Sequence, residues 1–127
     1  MDLTIKSLEL SGGNYLIVIT RGHADARELE QVFLKVALRS QSLVDCKMLI
    51  DLADVRLSLE PADIHELVDG LRPDLLRPDI KIAVVSSTET RQFDQLRVLS
   101  TALSSRGSRV VVFDDTKVAV AWLSERS

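Results

Sequence analysis

Apolar residues in the second half of the chain fall into two short runs, each followed by a helical pattern. The runs cover residues 82–85 (IAVV) and 110–113 (VVVF), and every position in them is apolar. A strand that is apolar on both faces is typical of a parallel sheet covered by helices, because a strand with one solvated face alternates apolar and polar residues. The pattern therefore predicts an α/β protein.

The first half of the chain shows both the strand period and the helix period. Alternating apolar residues predict a strand over 3–10, a turn at 11–14 (SGGN) and a returning strand over 15–20, which together form a β-hairpin. Apolar positions spaced i, i+3, i+4 and i+7 predict a helix over 24–40. A further buried strand is predicted at 48–50, where the sequence reads MLI.

Three more helices are predicted after that strand. The first covers 63–71, with Pro61 in its first turn, and the second ends near Gly107, which is suited to a left-handed C-cap. Asp114 or Asp115 is expected to cap the final helix. Its inward residues are expected to be Val118, Ala121 and Trp122.

The resulting order, ββαβαβαβα, defines the expected fold class. We predict an α/β fold with a single mixed five-stranded sheet, in which an N-terminal hairpin is followed by parallel strands, and with four helices. The chain has 127 residues, which is enough for one core without disulfides. Residues 1–127 are therefore expected to form one domain.

Composition narrows the classes of partner. The net charge is −3, with acidic and basic residues interspersed, so we expect no binding to nucleic acid. The single cysteine, Cys46, adjoins an apolar run and is expected to be a small buried hydrophobe. The first residues, MDLTIKSLEL, contain no long apolar segment, which predicts no membrane span and a cytoplasmic location.

Two stretches resemble a bacterial family. The segment VDCKMLIDLADV is similar to the central strand and turn of the STAS-like fold, the fold of anti-sigma-factor antagonists. The tail IAVVSS…FDQLRVLSTAL…VVVFDDTKVAVAWL resembles the small SpoIIAA-like, or STAS/CRAL-TRIO-like, domains. The resemblance implies a STAS-like fold and a non-enzymatic regulatory module that binds a protein partner or a small ligand. The CRAL-TRIO likeness leaves a lipid or small apolar ligand as an alternative.

The chain departs from that family at the turn after the central strand. The antagonists carry an Asp-Ser-(Ser/Thr)-Gly segment there, with the phosphorylated serine opening the next helix, whereas residues 51–61 here read DLADVRLSLEP. Ser58 is the only nearby hydroxyl. One interpretation is phosphorylation of Ser58, because a phosphate gains from helix N-terminal amides. The other is that Ser58 simply caps the helix.

Residues able to bind or react follow the predicted strands. If the strands are parallel, these residues converge on the carboxyl edge of the sheet, where open α/β folds usually bind ligands. They are Arg21 and His23 after the second strand, Asp51 and Asp54 after the third, Ser86 and Ser87 after the fourth, and Asp114 after the fifth. Together with Ser58 they form the predicted partner- or ligand-binding edge. Taken singly, each is also explained as a helix cap or a solvated turn residue.

A response-regulator receiver is a less favoured alternative. Asp51 ends a buried strand and a hydroxyl ends the next, as in receivers, but Mg²⁺ needs further carboxylates. The early strand ends in Thr20, Arg21 and Gly22 and supplies none, so only a degenerate receiver would fit. No metal-ligand spacing, phosphate loop or nucleophile–base pair is found in the sequence. We therefore predict no enzymatic activity, no metal and no cofactor.

Two leucines of the first helix suggest self-association. Leu34 and Leu38 lie away from the stripe formed by Leu29, Phe33 and Val36. A symmetric homodimer would bury them, because a two-fold axis brings the same patch onto itself. The competing explanation is cover by the N-terminal hairpin or by the final helix within the same chain.

Overall fold

The described part of the chain forms one five-stranded sheet with four helices, in the predicted ββαβαβαβα order. The computed structural model describes residues 2–10, 13–43, 46–71 and 80–125. The elements are β1 (Asp2–Leu10), β2 (Gly13–Asp25), α1 (Ala26–Ser40), β3 (Cys46–Ser58), α2 (Pro61–Gly70), β4 (Lys81–Ser86), α3 (Thr90–Ser105), β5 (Arg109–Phe113) and α4 (Thr116–Ser124). The turn predicted at 11–14 lies partly outside the described residues.

The strands lie side by side in the order β1-β2-β3-β4-β5. β1 and β2 form the predicted antiparallel hairpin, and each later strand runs parallel to its neighbour. The register places Ile50 beside Val84 and Val84 beside Val112. The three apolar runs found in the sequence are thus adjacent parallel strands, and the mixed α/β sheet is confirmed.

Helices cover both faces of the sheet, which explains the continuous apolar runs. Alternate residues of β4 point to opposite faces, and all six of its residues are buried. On one face Ile82 and Val84 pack in a core with α1, α2 and α3. On the other face Ala83 and Val85 pack against α4.

Two strands are longer than the apolar pattern predicts. β2 continues to Asp25 and β3 to Ser58, and the two remain paired after β4 has ended at Ser86. The apolar pattern does not predict this continuation, because most side chains of the added residues are polar and face solvent. The strands pair through backbone hydrogen bonds, which do not require apolar side chains. A register shift after Ile19 and a positive φ of 108° at Gly22 mark the start of the continuation.

The inward face of α4 differs from the prediction. Val118 and Ala121 are exposed, and Ala119 and Leu123 are buried instead. Trp122 is half-buried, with its ring centroid 5.7 Å from that of Phe113. An error of one residue, about 100° round the helix, is easy on a nine-residue helix, where Val, Ala and Leu occur on every side.

Predicted helix ends are partly confirmed. Asp115 caps α4 by accepting hydrogen bonds from the Lys117 and Val118 amides. Gly107 follows α3 with φ of 100°, and its amide donates to the Ser104 carbonyl. The N-cap of α3 is Glu89, whose carboxylate accepts hydrogen bonds from the Arg91 and Gln92 amides.

Lys81 anchors the end of α4. It is only 5% exposed, and its Nζ donates to the carbonyls of Trp122 (2.9 Å) and Glu125 (2.8 Å). The ammonium also lies 4.9 Å from the Trp122 ring centroid. Burial, and then the charge of Arg109, lower the pKa of Lys81 below its ordinary value of 10.5. The folded chain therefore holds this proton less tightly than the unfolded chain does.

The lowered pKa of Lys81 predicts a pH effect on stability. Between the folded and unfolded pKa values the unfolded chain binds more protons, so the free energy of unfolding rises with pH in that window. Urea unfolding of wild type and Lys81→Gln should therefore show a difference, wild type minus variant, that grows as the pH rises towards 10.5. A difference that shrinks over this range would mean that the folded state raises the pKa.

Candidate functional site

Beyond the end of β4, β2 and β3 continue together as a two-stranded segment, which we call the β2–β3 extension (residues 21–25 and 54–58). Its exposed positions stand in register as three pairs, Arg21 with Asp54, His23 with Arg56, and Asp25 with Ser58. Side chains of paired residues point to the same face of a sheet. The extension therefore presents one exposed face that carries both acidic and basic groups.

His23 and Ser58 are in contact on this face. The distance from His23 Nε2 to Ser58 Oγ is 2.6 Å. The sequence analysis found no nucleophile–base pair, and that expectation is wrong, because the two residues are 35 positions apart and only the pairing of β2 with β3 brings them together. Both side chains are exposed. Among the described residues, no group accepts a hydrogen bond from the other ring nitrogen of His23, so the imidazole is not held as in a catalytic triad.

Ser58 does not cap α2. It is the last residue of β3, and the N-cap of α2 is Glu60, whose amide donates to Asp63 Oδ2 at 2.7 Å. The capping prediction for Ser58 is therefore wrong. The reason is that the strand persists up to Ser58 and turns its hydroxyl towards His23 instead of towards the helix amides.

Two glutamines of α3 hold the free edge of the extension. Gln92 Nε2 donates to the Val55 carbonyl at 2.9 Å, and Gln92 Oε1 accepts from the Leu57 amide at 3.1 Å. Gln95 Nε2 donates to the Leu59 carbonyl at 2.9 Å. Gln92 is only 5% exposed. Its side-chain amide thus bonds to β3 as a peptide group of a neighbouring strand would.

Gln92 was not among the residues predicted from the sequence, although its position in the helical pattern pointed to burial. It stands four residues before Leu96 and seven before Leu99, on the buried stripe of α3. A polar residue in an apolar stripe needs hydrogen-bond partners inside the protein. These partners are backbone groups of β3, 35 and 37 residues away in the chain, which the helical pattern does not reveal.

A cleft of about 740 Å³ lies between the extension and the N-terminus of α3. Most of its lining side chains are charged or polar, and they come from β3, the β3–α2 turn, the β4–α3 turn and α3. The predicted residues Asp54, Ser58 and Ser87 line it together with Arg56, Glu60, Glu89, Arg91 and both glutamines. A polar lining suits a charged or hydrogen-bonding partner better than an apolar ligand.

Other predicted edge residues do not line this cleft. Asp51 lies within β3, and its Oδ1 accepts from the Ala53 amide at 2.9 Å. Ser86 is buried, and its hydroxyl has no hydrogen-bond partner within the described residues. Asp114 is exposed after β5, and Arg21 and His23 lie on the exposed face of the extension. Asp54 and Ser58 thus belong to both the exposed face and the cleft lining, whereas Arg21 and His23 belong to the face alone.

The described ranges contain no group of three or more His, Cys, Asp and Glu side chains that could hold a metal ion. Across the same ranges, none of the helices is both long and apolar enough to cross a membrane. Cys46 is buried, as predicted, at 1% exposure.

Comparisons with known proteins show the fold. A DUF3478 family protein from Shewanella loihica PV-4, described as having a SpoIIAA-like fold, matches with a TM-score of 0.51 and 18% sequence identity, over 95% of this chain and 93% of its own. The anti-sigma factor antagonist SpoIIAA in its unphosphorylated form gives a TM-score of 0.49 and 13% identity, over 97% and 100%. No family model matches the sequence, and no curated protein matches it. The predicted SpoIIAA-like fold is confirmed.

Proposed function

We propose that this chain, which has a SpoIIAA-like fold, is a non-enzymatic cytoplasmic regulatory module that binds a protein partner through its carboxyl edge. The observation that carries the proposal is the β2–β3 extension, which projects past β4 and borders a polar cleft. Gln92 keeps the extension ordered before a partner arrives, which lowers the entropy cost of binding. The acidic and basic groups on the extension would select a partner with a complementary arrangement of charges.

The experiment that tests this proposal is site-specific photo-crosslinking in the source cells. A photoreactive side chain at Arg56 stands in the cleft, and one at Lys35 on the exposed side of α1 is the matched control. We expect one discrete adduct from position 56 and none of that size from position 35. Equal labelling from both positions, or none from position 56, would count against the proposal.

The proposal also predicts that the contact between His23 and Ser58 is not catalytic. The imidazole lacks an orienting group within the described residues, and both side chains are open to water, which weakens electrostatic catalysis. Hydrolysis of activated esters and phosphate esters should stay at background. Wild type should match Ser58→Ala, with Ser42→Ala as an exposed-serine control. Turnover that disappears only in Ser58→Ala would establish an enzyme.

The form of regulation that we propose for this module is phosphorylation of Ser58. The hydroxyl is exposed, and a phosphate of about −2 charge there would meet His23 and Arg56 but also Asp25 and Glu60. Because attraction and repulsion would both change, the modification would alter partner choice. Phosphopeptide mass spectrometry of protein from the source cells tests it, and a stoichiometric phosphate elsewhere would assign the switch to another residue.

A lipid or small apolar ligand remains the second candidate, and one observation favours it. A groove of about 570 Å³ between α2 and α3 is lined by Ile64, Val68, Val98 and Ala102. It adjoins the polar cleft at Gln95, but its apolar residues do not line that cleft, so the two candidates depend on different side chains. Native mass spectrometry of the purified chain separates them, since a co-purified lipid whose mass disappears in Val68→Glu would favour the apolar ligand.

A further inference from the structure

The outer face of α3 and its C-cap carry a row of four residues spaced four apart, Asp94, Val98, Ala102 and Arg106. Residues at this spacing form one continuous ridge on a helix surface. Val98 is 56% exposed, Asp94 and Arg106 are exposed, and Ala102 is half-buried. Along the helix the ridge therefore reads acid, apolar, apolar, base.

Hollows lie on both sides of this ridge. On one side is the groove of about 570 Å³ between α2 and α3, with Ile64 and Val68 among its lining residues. On the other is a hollow of about 490 Å³ beside Val98 and Thr101. A lone exposed valine needs no explanation. A ridge with a groove beside it, however, is the shape with which helices pack.

We propose that a second copy of this chain packs against the ridge, with the two α3 helices antiparallel across a two-fold axis. An antiparallel copy presents the reversed order, base, apolar, apolar, acid, so each charge faces its opposite and the ridge is complementary to itself. The axis places Asp94 opposite the partner's Arg106 and Val98 opposite the partner's Ala102, and each contact occurs twice. Charge complementarity at both ends thus selects a second copy as the occupant.

Arg106 can serve both chains. Its Nη2 already donates to Asp69 at 2.8 Å, and the two side chains are 45% and 71% exposed. A guanidinium has five N–H donors, so a second carboxylate can bind without loss of the first. The existing ion pair fixes the arginine at the end of the ridge, which lowers the entropy cost of the contact.

This surface differs from the one expected from α1. Leu34 packs partly against the core of its own chain, which leaves Leu38 alone at 59% exposure. The expectation that both leucines lie too far round the helix for the core is therefore wrong for Leu34. A contact made mainly by one helix and its groove is at the low end of interface sizes, below about 1,200 Å² in total. The dimer is therefore weak and concentration-dependent.

Sedimentation velocity from about 10 µM to about 1 mM tests the proposal. Wild type is expected to shift towards the dimer with concentration, and Val98→Glu to stay monomeric. Asp94→Arg should weaken association about tenfold, since it replaces two ion pairs by like-charge contacts. The double exchange Asp94→Arg with Arg106→Asp should restore it when it is made together with Asp69→Asn, which removes the like charge that the new aspartate would otherwise meet. Leu38→Glu is the matched control on α1 and should behave as wild type.

Three results would overturn the α3 dimer. The first is a wild type that is monomeric throughout the concentration range. The second is a dimer that survives Val98→Glu but is lost in Leu38→Glu, which would assign the interface to α1. The third is a failure of the double charge exchange, made together with Asp69→Asn, to restore association while its far-ultraviolet circular dichroism matches that of wild type.

Discussion

Replacing Phe33 with alanine is expected to lower the free energy of unfolding by about 3–5 kcal/mol. Phe33 is 1% exposed and belongs to the core between the sheet and the three helices on that face. The loss combines the transfer free energy of the ring with the cavity that it leaves. Because domains of this size are stable by only about 5–15 kcal/mol, the variant should unfold at much lower urea concentration.

The matched control for Phe33 is Leu38→Ala on the same helix. Leu38 is 59% exposed, so its truncation should change stability by no more than about 0.5 kcal/mol. Urea titrations followed by circular dichroism measure both variants. Equal losses at the two positions would show that the buried face of α1 has been assigned incorrectly.

Replacing Gln92 with methionine is expected to cost about 1–3 kcal/mol and to loosen the β2–β3 extension. Methionine keeps the length of the side chain but leaves the Val55 carbonyl and the Leu57 amide without their α3 partner. The penalty arises because backbone groups in a buried setting lose hydrogen bonds that water does not fully replace. Hydrogen exchange at Leu57 should become faster than in wild type.

Gln31→Met provides the control for this change, because Gln31 is exposed on α1. It should leave both stability and exchange at Leu57 unchanged. If Gln92→Met behaved like Gln31→Met, the extension would not depend on α3. The cleft would then have no rigid wall before a partner binds.

The apolar pattern predicted the fold because a strand that is buried on both faces has apolar residues at nearly every position. β4 is buried at all six positions, and the apolar run at 82–85 identified it. The β2–β3 extension has no such pattern, since Arg21, His23, Asp54 and Arg56 face solvent while their backbones are paired. Its free edge is bonded by Gln92, and sequence periodicity does not report these hydrogen bonds.

The candidate site could be predicted in outline only. Parallel strands bring their carboxyl ends to one edge, so Asp54, Ser58 and Ser87 were expected near one another, and all three line the cleft. Asp51 was assigned to the same edge, but it uses a carboxylate oxygen on the Ala53 amide. Whether a polar side chain at this edge is free to bind a partner or is bonded to its own backbone depends on distances of a few ångströms. The order of residues alone does not give these distances.

The central claim is that partners bind at the cleft and the exposed face of the extension. It is tested most directly by titration calorimetry with the protein captured through position 56. Exchanging the charges of Asp54 and Arg56 (Asp54→Arg with Arg56→Asp) keeps the net charge and reverses the pattern in the cleft. The control exchange, Lys6→Glu with Glu9→Lys, also keeps the net charge, and it reverses the charges of two exposed residues of β1. We predict at least about tenfold weaker binding for the cleft exchange and unchanged binding for the control. Wild-type affinity in the cleft variant would contradict the account.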